Sequence, residues 1–109
     1  MLSFLTAESL IKINQKLGYQ VLNKSLVGSA LSGWQYYSSL EEQIASVIKG
    51  ITKNHAFQDG NKRTAVIVYF NLCSLFNMKP LSDDEMFVSI VDIASNQYSV
   101  EEIAKKLFN

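Results

Sequence analysis

The chain has 109 residues, 48% of them hydrophobic and 18% charged. That is the length of one domain, expected to cover residues 1–109, and it is apolar enough to exclude extended disorder. Ten basic and ten acidic residues cancel, so no overall field draws the chain onto nucleic acid or an anionic membrane.

The single cysteine, Cys73, excludes an internal disulfide framework and favours a reducing compartment. The N-terminus lacks the basic region and long apolar run of a signal peptide. The longest apolar run, Ala65 to Phe70, falls far short of the ~18 residues that would suggest a membrane span. A cytoplasmic protein without a membrane span is expected.

One proline and five glycines punctuate the chain, and between them the apolar spacing is helical. Thr6 caps a first helix in which Leu10, Ile13 and Leu17 share a face, with Gly18 as its stop. A weaker helix is predicted over about residues 23–31, around Leu26, Val27 and Ala30. Gly33 and the aromatic run Trp34, Tyr36, Tyr37 break the pattern.

Ser39 and Glu42 form a capping box, with Leu40, Ile44, Val47, Ile48 and Ile51 on one stripe behind it. The stretch from Asn61 to Asn77 is apolar nearly all round, which predicts the central helix of a bundle. Two more capping boxes, Ser82 with Glu85 and Ser99 with Glu102, open the last helices. The first carries Met86, Phe87, Ile90, Val91 and Ala94, of which Met86 and Phe87 are expected in the core. The second carries Ile103, Ala104 and Leu107. The fold class is all-α.

Chemistry concentrates between the third helix and the central one. The segment reads His55-Ala56-Phe57-Gln58-Asp59-Gly60-Asn61-Lys62-Arg63-Thr64, and it holds the chain's only histidine and only arginine. A helix start offers unpaired amides and the positive end of the macrodipole, a ready site for phosphate. Gly60 can adopt positive φ and bring backbone close to a ligand. Lys62 adds a point charge and Arg63 a fork suited to phosphate oxygens. Both oppose the helix dipole, at a cost of about a few tenths of a kcal/mol, so an anionic partner accounts for them better than a solvated turn does.

His55, with an ordinary pKa near ~6.5, is suited to take a proton from a hydroxyl nucleophile. Asp59 is a hard oxygen ligand where a Mg²⁺ shared with a nucleotide would sit, though an acid near a helix start is favourable without any function. Asn61 can hold a phosphate oxygen or cap the helix, and Phe57 is expected to turn inward. A Walker A loop is excluded, because its Gly-Lys-[Ser/Thr] pairing is absent.

The pattern His-x-Phe-x-Asp-Gly-Asn-Lys-Arg resembles the signature of the Fic/Doc superfamily, and its lysine form is similar to the Doc (death-on-curing) toxins. Seven specified positions at ~5% usage give a chance match of roughly 10⁻⁷ in a chain this long. The resemblance implies a compact helical bundle that uses ATP and Mg²⁺ to modify a protein hydroxyl. In Fic proteins with Gly-Asn-Gly-Arg the transferred group is usually AMP. Where lysine stands at the position of Lys62, the nucleotide lies reversed and the γ-phosphate is transferred, in Doc toxins to a threonine of translation elongation factor Tu.

Carried over residue by residue, the resemblance makes His55 the general base and Asp59 the acid that orients the histidine or binds Mg²⁺. Gly60, Asn61, Lys62 and Arg63 become the phosphate cradle. Ala56 departs from a proline common in Fic motifs, and Gly60 from the alanine of the Doc prototype, which places the motif between the two subgroups.

The family also implies a target-docking flap before the third helix, which falls on Trp34, Tyr36 and Tyr37. The alternative is that these rings simply cover the core. The Ser/Thr-x₃-Glu-[Gly/Asn] inhibitory helix of many Fic proteins is missing, since Ser38 and Glu42 are followed by Gln43. The resemblance therefore implies restraint in trans by a Phd-type antitoxin. Two alternatives stay open, AMP transfer by the same residues and a non-catalytic nucleotide- or partner-binding domain.

Overall fold

The third helix organises the molecule. In the computed structural model, residues 2–18, 24–53 and 60–108 are described, with side chains omitted for 24–26. The helices are α1 (Ala7–Lys16), α2 (Lys24–Ala30), α3 (Leu40–Lys53), α4 (Asn61–Leu75), α5 (Asp83–Ser95) and α6 (Val100–Phe108), with a 3₁₀ turn at Trp34–Tyr36 before α3. No strand occurs among the described residues, and the fold is an all-α bundle. No helix among them is long and apolar enough to cross a membrane.

Helix α3 buries eight of its fourteen residues, including Ile44, Val47, Ile48 and Ile51. It packs against α2, the 3₁₀ turn, α4, α5 and α6. This corrects the expectation that α4 is the central helix. Helix α4 packs against α1, α3 and α5. It buries Thr64, Ala65, Val68, Tyr69, Leu72 and Cys73, while Val66, Ile67 and Phe70 are half-buried and Leu75 is 62% exposed. Its all-round apolarity has another cause: one apolar face lines an open cleft.

Local chemistry sets the helix ends. Thr6 and Ser9 cap α1 reciprocally, each backbone amide donating to the other's hydroxyl at 3.2 Å. Gly18 ends that helix at φ +88°, a conformation that favours glycine. The boxes at Ser82–Glu85 and Ser99–Glu102 form as the sequence predicts, with all four bonds between 2.9 and 3.2 Å. At α3 the Glu42 amide donates to Ser39 Oγ at 3.1 Å, the forward half of the expected box. Helix α4 stops at Leu75 rather than Asn77, because Asn77 turns left-handed at φ +56°.

Tyr69 locks the far end of α4. Its hydroxyl donates to the Leu107 carbonyl at 2.7 Å and accepts from the Leu81 amide at 2.9 Å. Burial pushes its pKa up to about 12, since ionisation would place a phenolate in the core. Burial also pushes the neighbouring Cys73 thiol up.

In α5 the core stripe is Met86, Ile90 and Ile93. Phe87 is 69% exposed and Val91 39%, which corrects the placement of Phe87 in the core. Successive helical residues point about 100° apart, so one stripe cannot hold both 86/90 and 87/91 at its centre. In α6, Ile103, Ala104 and Leu107 are buried, as the spacing predicts, and Val100 is buried with them.

Candidate functional site

The site is built at the N-terminus of α4. Gly60 is the N-cap and has left-handed backbone, φ +78° and ψ +16°. Its carbonyl accepts the Thr64 amide at 2.8 Å, which begins the helix. That conformation strains a residue with a Cβ, so glycine is suited to the turn for a local steric reason. Asn61 is half-buried, and Lys62 and Arg63 are exposed on the first turn. The first turn of a helix leaves backbone amides without intrahelical acceptors, and the macrodipole adds partial positive charge. His55, Ala56, Phe57, Gln58 and Asp59 lie outside the described residues, and so does the expected inward turn of Phe57.

Behind this turn lies a contact from another helix. Asn14 of α1 and Thr64 are both fully buried. The Asn14 Nδ2 donates to Thr64 Oγ1 at 3.2 Å.

Lys62 and Arg63 also border a cleft of about 490 Å³ between α4 and α5. Its floor is Val66, Ile67 and Phe70 of α4, and its opposite wall is Phe87, Ile90 and Val91 of α5. Leu17 and Asp83 complete the lining. At 1.5 Å rise per residue, Phe70 stands roughly 10 Å along the helix axis from Lys62 and Arg63. The cleft thus joins a cationic helix start to an apolar trough, a form suited to a ligand with an anionic and a flat apolar part. Sequence reasoning missed this wall. The signal was present as the apolar pair Phe87 and Val91, four apart and off the core stripe.

The aromatic segment before α3 is helical rather than strand-like at residues 34–36, and extended backbone begins at Tyr37, with φ −115° and ψ +143°. Gln43 Nε2 already donates to the Tyr37 carbonyl at 2.9 Å. Trp34 and Tyr37 are half-buried against the core, whereas Tyr36 is 87% exposed. A second cleft, of about 440 Å³, opens beside Tyr36 and Tyr37 and is bordered by Lys49 and Lys53. Lys53 is tied across to α5 through a 2.9 Å bond to the Ala94 carbonyl.

Among the described residues no three histidine, cysteine or carboxylate side chains gather to hold a metal ion. Asp83 is the carboxylate that lines the α4–α5 cleft.

The model of the Fic/DOC family matches residues 4–73, well over half of the chain. This chain belongs to the Fic/DOC family. No curated protein and no solved structure matches it. The matched span of this Fic/DOC chain runs from the approach to α1 through most of α4 and takes in the whole candidate motif. Helices α5 and α6 lie beyond it, yet α5 packs on α3 and α4, and α6 packs on α3 and α5. One continuous set of buried side chains, from Leu2 to Leu107, draws on all of them.

Proposed function

We propose that this Fic/DOC chain is a cytoplasmic toxin that transfers the γ-phosphate of ATP to a serine or threonine hydroxyl of a translation factor, with elongation factor Tu as the leading target. The observation that carries the reading is the first turn of α4. Left-handed Gly60 is followed by exposed Lys62 and Arg63 at the mouth of an apolar cleft, within a chain of this family.

In this reading Gly60, Asn61, Lys62 and Arg63 hold the phosphates, and the trough formed by Val66, Phe70, Phe87 and Val91 takes the base. His55 accepts the proton of the target hydroxyl as its oxygen bonds to the γ-phosphorus. The bond from that phosphorus to the β–γ bridging oxygen breaks, and ADP leaves. Asp59 orients the histidine or helps hold Mg²⁺ together with the phosphate oxygens. An ion that enters with its nucleotide would need few ligands from the chain itself. Bound there, Mg²⁺ would neutralise phosphate charge, and the chain's own contribution is to position the nucleotide and direct cations at it. Tyr36 is the exposed ring available to a docked target, and a Phd-type antitoxin would restrain the enzyme in trans.

AMP transfer is the second reading, and one observation favours it. Gly60 occupies the motif position where the Doc prototype has alanine, and it uses a backbone conformation that disfavours alanine.

Both readings are tested by incubating purified protein with Mg²⁺, a cell extract containing elongation factor Tu, and ATP labelled at the α or the γ phosphate, with His55→Ala as the blank. Label on protein from the γ position alone is the expected result. Label from the α position establishes AMP transfer, and no label beyond the blank from either position contradicts the enzyme reading.

A further inference from the structure

Asn14 is a polar side chain in an apolar place. It lies on the inner face of α1 between Leu10 and Leu17 and is fully buried. A buried amide costs stability unless it is hydrogen-bonded, and a leucine at this position would continue the stripe at no such cost. What the amide does instead is reach across to another helix. Its Nδ2 donates to Thr64 Oγ1 at 3.2 Å, fifty positions along the chain.

Thr64 in turn begins the α4 ladder, its amide donating to the Gly60 carbonyl at 2.8 Å. The contacts therefore run from the buried face of α1, through one threonine, to the left-handed residue that starts α4. Asn61, Lys62 and Arg63 lie inside this closed turn. The side chains of Lys62 and Arg63 are exposed, so packing around them does not fix their direction. Their Cα positions are set from behind, by Gly60 at one end and Thr64 at the other.

We infer that Asn14 and Thr64 are positioning residues, which together hold the first turn of α4 in the geometry that presents Lys62 and Arg63 to a nucleotide phosphate. The inference rests on the phosphate-binding role proposed above for that turn. The hydroxyl of Thr64, rather than its methyl group, carries the effect. This separates positioning from simple core packing, because the two atoms can be removed one at a time.

The experiment compares the parent chain with Thr64→Val, which keeps the volume and loses the hydroxyl, and Thr64→Ser, which keeps the hydroxyl and loses the methyl. Asn14→Ala is an independent break of the same bond and replaces Thr64→Val if that variant fails to fold. Three quantities are read: Tm, affinity for ATP·Mg²⁺, and ¹⁵N order parameters at residues 61–63 in the nucleotide-free protein. Both Thr64 variants are expected to lose Tm.

Only the hydroxyl-deleting variant should weaken ATP binding, by about fivefold to tenfold for one lost buried hydrogen bond. It should also lower the order parameters at 61–63 while leaving those at 68–72 unchanged. Thr64→Ser should bind within about twofold of the parent. Affinity losses that track the Tm losses in both variants, or an unchanged affinity in Thr64→Val, would overturn the inference. If the parent itself does not bind ATP, the proposed function fails, and the order parameters alone decide. A loosened first turn in Thr64→Val but not in Thr64→Ser then upholds the positioning role, and a rigid one overturns it.

Discussion

Two helix contacts in this molecule use apolar surface in opposite ways. Where α2 meets α3, the backbones nearly touch: a Cβ placed on Gly50 would stand 2.5 Å from the Ala30 carbonyl oxygen and 2.8 Å from its Cα. Where α4 meets α5, a cleft of about 490 Å³ opens beside the contact, and Phe87 remains largely exposed on its wall. Close packing gains dispersion contacts and excludes water, and it fixes the scaffold. An apolar opening forgoes that stability, and in a small domain it marks a place where something binds. The open contact begins at the motif's own turn.

Substitutions in the two regions should therefore separate stability from binding. The largest effect is expected at the closed contact. Gly50→Val drives a branched side chain into the Ala30 backbone, which no rotamer can relieve, and should cost about 3 kcal/mol. Thermal unfolding should show a Tm lowered by roughly 15 °C. A variant as stable as the parent would mean that the α2–α3 contact is looser than described.

Tyr69→Phe comes next. It leaves the Leu81 amide and the Leu107 carbonyl without the phenol, at about 2 kcal/mol in denaturant unfolding. The pH dependence has a definite sign. The folded pKa of about 12 lies above the ordinary value near 10, so this contribution is complete below about pH 10 and is lost as pH rises through about 12. The alkaline fall in stability should accordingly be shallower in Tyr69→Phe.

At the open contact the balance reverses. Phe87→Ser should change stability by less than about 0.5 kcal/mol, because the ring is mostly exposed. It should weaken ATP·Mg²⁺ binding about tenfold, because the ring is one wall of the trough. A stability loss without a binding loss would reassign Phe87 to the scaffold.

The smallest effect is expected at the surface. Lys106 pairs with Asp92 at 3.0 Å, and Tyr98 donates to the same carboxylate. The hydrogen bond from Lys106, then that from Tyr98, holds the Asp92 carboxyl below its usual range. Its contribution is present above the ordinary carboxylate pKa near ~4 and is lost as pH falls through the lowered folded value. Asp92→Asn should flatten the acid limb of the stability curve slightly, and salt should shrink the difference.

Much of this was legible in the sequence where the determining chemistry is local. Ser82 with Glu85 and Ser99 with Glu102 are short-range bonds, and both boxes form. Gly60 and Lys62-Arg63 were recognisable because paired cations just after a glycine at a helix start oppose the dipole unless an anion joins them. What escaped depends on which helices become neighbours. Apolar residues all round α4 suggested burial on every side, yet part of that surface faces the cleft, and α3 took the central place. Phe87 was assigned to the core because hydrophobicity alone does not distinguish a core face from a ligand face. Nothing near Thr64 in the sequence marks it as a positioning residue, because its partner Asn14 is fifty residues away.

If the start of α4 and the α4–α5 cleft form one nucleotide site, both must respond to the same ligand. The most direct measurement is a titration of the ¹⁵N-labelled chain with ATP·Mg²⁺, followed in ¹H–¹⁵N correlation spectra. The expected result is saturable shifts at residues 60–63 together with Val66, Phe70, Phe87 and Val91, and none on the outer face of α6 near Lys106. Shifts confined to another surface, or no saturable shift at millimolar nucleotide, would contradict the single-site reading.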